Sequence, residues 1–210
     1  MNWVHPLSAL FPTVQGAVLH TLWRRTTPMT GREVHRVSAT GSYRGTLVAL
    51  DRLVEQGIVE ARRVGQAREY HLNEEHLAHP ALTAALAAFT PRADLDDRLR
   101  ALVHQHLPDD RHVSLAYFGS FARGEAGADS DIDLLLVVPD GTADDTTDRI
   151  VADLEVRGQR WTGNEVQVYA TRHADLARAV AAGDPIVAEW QRDAVTILGP
   201  TIQRLLKAIR

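Results

Sequence analysis

Asp131 and Asp133 stand two residues apart at the head of the apolar run Leu134 to Val138. Side chains alternate between the faces of a strand, so residues two apart project together. The spacing predicts two carboxylates side by side at the mouth of a sheet, with Ile132 and Leu134 turned into the core. Hard oxygen ligands of this kind suit Mg²⁺ or Mn²⁺. Upstream, the apolar run Val113 to Phe118 meets Gly119-Ser120, ten residues before Asp131. A glycine there lets backbone approach a ligand closely. Ser120 adds a hydroxyl and an N–H, and a helix starting at this point would favour phosphate at its N-terminus. A phosphate binder and a pair of metal carboxylates on one spot meet the requirements of transfer from a nucleoside triphosphate. The plainer alternative is a solvated turn and a chance acidic pair ahead of a buried strand.

These residues must be held by a soluble scaffold. The chain has 210 residues, 45% hydrophobic and 24% charged, enough for one large or two small globular domains. No apolar run approaches the roughly 20 residues of a bilayer span. The start, MNWVHPLSALFP, lacks the basic and long apolar segments of a secretory signal. With no cysteine there is neither a disulfide framework nor a thiolate zinc site. The expected location is cytoplasmic, with no membrane partner. The net charge of −4 is uneven: residues 1–80 hold 9 Arg against 7 Asp and Glu, and the acidic excess lies beyond them. The first part can meet a polyanion, whereas the second is acidic as a metal site and solvated helices would make it.

In the first part, Val14, Ala17, Val18 and Leu22 recur at helical spacing. Thr30 and Glu33 form a capping-box pair opening a short helix. Ser42 opens a longer one to Gln56, with Leu47, Leu50, Leu53 and Val54 inward and Gly57 as its stop. Ile58 to Arg63 and Arg68 to Leu72 read as a hairpin around Val64-Gly65-Gln66-Ala67. Three helices and a hairpin in this order, with Leu50-Asp51-Arg52-Leu53-Val54-Glu55-Gln56-Gly57-Ile58-Val59 crossing from helix to strand, resemble the winged helix-turn-helix of MarR- and ArsR-like repressors. That resemblance implies double-stranded DNA as partner, a homodimer, and a third helix whose start enters the major groove. Its DNA-facing residues would be Ser42, Tyr43, Arg44 and Thr46, with Arg62, Arg63 and Arg68 of the hairpin along the backbone. A protein-docking module with a solvated arginine face is the alternative.

Pro80, Pro91 and Pro108 punctuate a connector with two short amphipathic helices, around Leu82, Leu86 and Phe89, then around Leu95, Leu99, Leu102 and Val103. Farther on, a helix carries Ile150, Val151 and Leu154, a strand runs from Glu165 to Tyr169, an alanine-rich helix ends at Gly183, and Asp184-Pro185 starts another. A final strand lies near Asp193 to Gly199.

The stretch Gly119-Ser120, ten residues, Asp131-Ile132-Asp133 resembles the nucleotidyltransferase superfamily that includes DNA polymerase β, and most of all its minimal bacterial members. Phe121-Ala122-Arg123-Gly124-Glu125, Ser130, Gly183-Asp184-Pro185-Ile186 and Arg192-Asp193-Ala194-Val195 are similar to those members too, so the likeness spans about residues 95–199. It implies an α/β (α+β) fold, a mixed sheet flanked by helices. The expected layout is a winged helix at 1–78, a linker helix at 79–94 and a nucleotidyltransferase domain at 95–210. The resemblance makes Asp131 and Asp133 catalytic metal ligands and Gly119, Ser120, Arg123 and Ser130 nucleotide-binding. Arg123 alternatively pairs with Glu125 or Asp129 at the surface. The family sets a third carboxylate on the strand at 165–169. The aligned position is Gln167, and Glu165 lies one pleat away, so the third acid is Glu165 or missing. The implied activity moves a nucleoside monophosphate, AMP first, from NTP to an acceptor hydroxyl with Mg²⁺ or Mn²⁺, the acceptor being a partner protein such as an HEPN-type toxin. The alternative is a transcription regulator whose nucleotidyltransferase-like domain only senses nucleotide or docks a partner.

Overall fold

The structure is a computed structural model that describes residues 1–109 and 111–209. The chain forms two compact units, His5–Thr90, and Pro91–Arg210 joined by the first four residues, Met1–Val4. The first unit therefore ends after both the hairpin and the helix that follows it.

In the unit His5–Thr90 the elements are α1 (Val14–Trp23), β1 (Met29–Thr30), α2 (Gly31–Ser38), α3 (Tyr43–Glu55), β2 (Val59–Val64), β3 (Ala67–Leu72) and α4 (His79–Ala88). Glu33 N–H reaches Thr30 Oγ1 at 3.4 Å and Thr30 N–H reaches Glu33 Oε2 at 2.8 Å, so α2 opens with the expected reciprocal cap. Ser42 Oγ accepts from Gly45 N–H at 3.1 Å and starts α3. The three strands pair antiparallel in the order β1-β3-β2. The two-residue β1 is too short to leave a period in the sequence. Val18, Leu22, Val34, Leu50, Leu53, Val59 and Tyr70 form the core, and Leu82 of α4 packs against it.

The other unit runs α5 (Pro91–His106), β4 (Ser114–Phe118), α6 (Gly119–Ala122), β5 (Ile132–Val138), α7 (Asp144–Thr162), β6 (Val166–Arg172), α8 (His173–Ala182), α9 (Pro185–Asp193), β7 (Val195–Leu198) and α10 (Ile202–Ile209). Its sheet has the order β6-β5-β4-β7, with β5 and β6 parallel and the other neighbours antiparallel. Along β5 every residue from Leu134 to Val138 is buried, because helices cover both faces. Ile132, Leu134 and Leu136 join Leu99, Val103, Ile150 and Leu154 of α5 and α7 on one face. Leu135 and Val137 join Leu176, Val187, Trp190 and Leu206 of α8, α9 and α10 on the other. Alternation puts Asp133 on this second face, at its end.

Candidate functional site

The central pair of strands sets the site. Phe118 is the register partner of Asp133 across β4 and β5, so the chain leaves β4 and turns through Gly119 directly beside that carboxylate. Gly119 has φ +66°, in the left-handed region, and a Cβ there would come closer than 3.0 Å to Asp133 Oδ2. Only glycine satisfies both the backbone and the space. The helix expected after it is a single turn, α6, and residues 123–131 then form a loop. With one turn there is little macrodipole, and what Ser120 offers is its own N–H and hydroxyl together with the orphan donors of a first turn.

Asp131 precedes β5 and Asp133 lies in it. Asp131 Oδ2 accepts from Gln167 Nε2 at 3.0 Å, and Gln167 is the β6 register partner of Asp133. An amide thus occupies the position facing Asp133. Ile132 pairs with Val166, and Ile132 N–H donates to the Glu165 carbonyl at 2.8 Å, so Asp131 and Glu165 each stand one residue ahead of that pair, just before β5 and β6. The Glu165 side chain is exposed. The Asp133 carboxyl is pushed above the usual range by burial first, then by the charges of Asp131 and Glu189, with Arg123 acting against them. Negative charge in excess at a half-buried position is the electrostatics of a cation site. Among the described residues no three His, Cys, Asp or Glu side chains converge as a metal cluster. Two carboxylates still fit an ion such as Mg²⁺, which takes its remaining ligands from water and substrate phosphates.

Arg123 follows the turn of α6. Its Nε donates to Glu125 at 2.9 Å, the surface pair open to it in the sequence, and its Nη1 donates to Asp193 Oδ2 at 2.8 Å, seventy residues away. Ser130 faces inward: its hydroxyl accepts from Gly127 N–H at 2.9 Å and stitches the loop ahead of Asp131. Asn164, 2% exposed, binds the same loop. Its Nδ2 donates to the carbonyls of Ala128 at 3.1 Å and Ser130 at 2.9 Å, and its Oδ1 accepts from Trp3 Nε1 at 3.0 Å. Trp3 in turn stacks edge-on against Phe121 of α6 with ring centroids 4.8 Å apart. Asn164, Glu189 and Asp193 carry no periodic signal. The Arg192-Asp193-Ala194-Val195 phrase was legible only as a resemblance.

A second set of candidates lies in the unit His5–Thr90. Tyr43 and Arg44 are exposed at the start of α3, and Arg62 and Arg63 are exposed on β2. Thr46 corrects the expectation of an outward-facing residue: it is wholly buried, its hydroxyl 3.1 Å from His35 Nδ1 and 3.3 Å from the Ser42 carbonyl oxygen. Four residues from the cap, it lies on the inner stripe of α3. Ser42 spends its hydroxyl on the cap. Arg68 is held by Asp51 at 2.8 Å and stacks over Tyr70 at 5.2 Å.

Residues 97–177 match the family described as "Nucleotidyltransferase domain". The matched span lies within the unit Pro91–Arg210 and includes Gly119, Asp131 and Asp133. No curated protein matches the chain. Among solved structures, one of a toxin–antitoxin with AMP-PNP is similar at 12% identity and TM-score 0.36, covering 54% of this chain and 82% of that one. A second, of a mutant of the toxin–antitoxin MntA–HpeT, is similar at 10% identity and TM-score 0.35, with the same coverage. Among the described residues no helix is long and apolar enough to cross a membrane.

Proposed function

We propose that the chain is a Mg²⁺-dependent nucleotidyltransferase, Mn²⁺ serving in its place, that moves AMP from ATP to a hydroxyl on a partner protein. The single observation that carries this reading is the close approach of the Gly119 backbone to the Asp133 carboxylate. The turn after β4 lies so close to the carboxylate that a Cβ at Gly119 would overlap Asp133 Oδ2, which supports a phosphate-holding backbone beside a metal-holding acid. A divalent ion held by Asp131 and Asp133 would polarise the α-phosphorus and neutralise charge on the leaving group. The acceptor oxygen bonds to the α-phosphorus, the bond to the α,β-bridging oxygen breaks, and its electron pair departs with pyrophosphate. Glu165, the carboxylate flanking Asp131, takes the hydroxyl proton. Gly119, Ser120 and Arg123 hold the phosphates, and Ser130 acts on the nucleotide through the loop it closes.

The partner protein is proposed as an HEPN-type toxin on the sequence resemblance alone. The unit His5–Thr90 is proposed as a DNA-binding winged helix acting as a homodimer, with Tyr43 and Arg44 toward bases and Arg62, Arg63 and Arg68 toward phosphates. A nucleotide-sensing regulator without transfer is the second reading, and Gln167 favours it, because an amide stands where a third acid would face Asp133.

Incubation with α-labelled ATP, Mg²⁺ and the product of the adjacent gene tests the first reading. Label should pass to the acceptor and be lost in Asp131→Ala and Asp133→Ala. Nucleotide binding without transfer to any acceptor would support the sensor. For DNA, Arg44→Ala should cost about 1–3 kcal/mol of operator binding if it reads a base edge, and an unchanged affinity and sequence preference would remove that role.

A further inference from the structure

We propose that Asp193 is a positioning residue that joins Arg123 and Arg192 into one two-armed clamp for the terminal phosphates of the nucleoside triphosphate. Arg192 becomes a second phosphate-contacting cation. The inference rests on the nucleotidyltransferase reading and names a part of the site that the Gly119-Ser120 and Asp131-Ile132-Asp133 motifs do not contain.

The geometry is specific. The Asp193 side chain is 4% exposed, whereas Arg123 and Arg192 are 40% and 63% exposed. Asp193 Oδ2 accepts from Arg123 Nη1 at 2.8 Å and from Arg192 Nη2 at 2.9 Å, and Oδ1 accepts from Arg192 Nε at 2.8 Å. Arg192 grips the carboxylate along one edge of its planar fork, so its other edge faces away from Asp193. These hydrogen bonds hold the Asp193 carboxyl below the usual range, Arg192 contributing first and Arg123 after it.

The clamp stands at the right turn. Asp193 ends α9, Arg123 follows the last residue of α6, and α9 packs on α6, the single turn that begins with Gly119-Ser120. Two guanidinium groups share one buried carboxylate, and Glu189 acts on Arg192 from the same helix. Glu125 pairs with Arg123 Nε at the surface, where its side chain is exposed. A polyphosphate carries more charge than Glu125 and can replace it, whereas Asp193 lies beneath both arms and stays in place. Without Asp193, two long flexible side chains of like charge would have nothing to hold them together.

Titration calorimetry of the full chain with ATP·Mg²⁺, tripolyphosphate·Mg²⁺ and AMP tests this. Arg192→Ala, at an exposed side chain, should weaken ATP and tripolyphosphate about tenfold, as loss of a charge-assisted contact implies. AMP, which lacks the β- and γ-phosphates, should bind as it does to wild type. Asp193→Asn should give the same phosphate-selective loss, and adding it to Arg192→Ala should cost less than the sum of the two singles. Wild-type affinity for ATP and tripolyphosphate in Arg192→Ala would overturn the clamp and leave the nucleotidyltransferase reading standing. An equal loss for AMP would overturn it too, by making the network a mere brace. If the wild type binds neither ATP nor tripolyphosphate, the underlying reading falls with it.

Discussion

Replacing Gly119 by alanine tests the contact around which the site is built. Two costs arise at once. At φ +66° a Cβ is disfavoured by about 1 kcal/mol. The new methyl would also overlap Asp133 Oδ2 and stand 3.4 Å from its Cγ. Asp133 sits in a central strand between β4 and β6, so its backbone cannot retreat, and relief must come from forcing the carboxylate off its rotamer, at about 1 kcal/mol. The sum is about 2 kcal/mol, or roughly 8 °C in the melting temperature of a unit this size. The assay is thermal melting in EDTA of Gly119→Ala, Asp133→Ala and the double variant. Removing the Asp133 carboxylate should return the overlap part, so the cycle should show a coupling of about 1 kcal/mol, while the backbone part stays. Strictly additive effects, or Gly119→Ala as stable as wild type, would refute the claim that the turn and the acid share one space. ATP·Mg²⁺ binding should be lost in every one of these variants.

Three further outcomes follow from the same geometry. Gln167→Glu replaces the amide that donates to Asp131 at 3.0 Å with a like charge, so it should lower the melting temperature in EDTA yet widen the gain on adding Mg²⁺; equal gains in variant and wild type would show that the metal does not use this face. Asn164→Ala removes a buried amide that donates to the Ala128 and Ser130 carbonyls and should cost about 1–3 kcal/mol, with hydrogen exchange at residues 127–131 rising to the level of an open loop. The Asp133 carboxyl is raised in the folded state, by burial and then by Asp131 and Glu189, so the native protein binds more protons than the unfolded one between the ordinary carboxylate range and the raised value. The contribution of Asp133 to metal-free stability should therefore be greatest below that window and be lost as pH rises through it, so Asp133→Asn should steepen the rise of stability with pH across the window, and an unchanged profile would assign the slope to other groups.

Local rules reached far into this fold. The Thr30 and Glu33 cap, the Ser42 start of α3, the hairpin about Gly65 and the apolar runs of β4 and β5 all depend on neighbours a few residues apart, and each was readable from spacing. The helix that could start at Gly119 had no length in the sequence, because residues 123–131 have no helical period, and it is a single turn. Thr46 was misplaced for a different reason. It stands four residues before Leu50 and seven before Leu53, so helical spacing already put it on the inner stripe; its hydroxyl was read as a mark of the outer face, and it is satisfied inside by His35 and the Ser42 carbonyl.

What the chain determined by itself is the pair Asp131 and Asp133 on a common face and a glycine at the turn before them, since pleat and backbone sterics act within a few residues. Only the tertiary structure decided who surrounds them. It set Gln167 rather than an acid opposite Asp133, carried Asn164 and Trp3 to the loop, and brought Asp193 beneath Arg123. Those partners lie tens of residues apart, and their meeting depends on sheet order and helix packing, which no short-range pattern encodes.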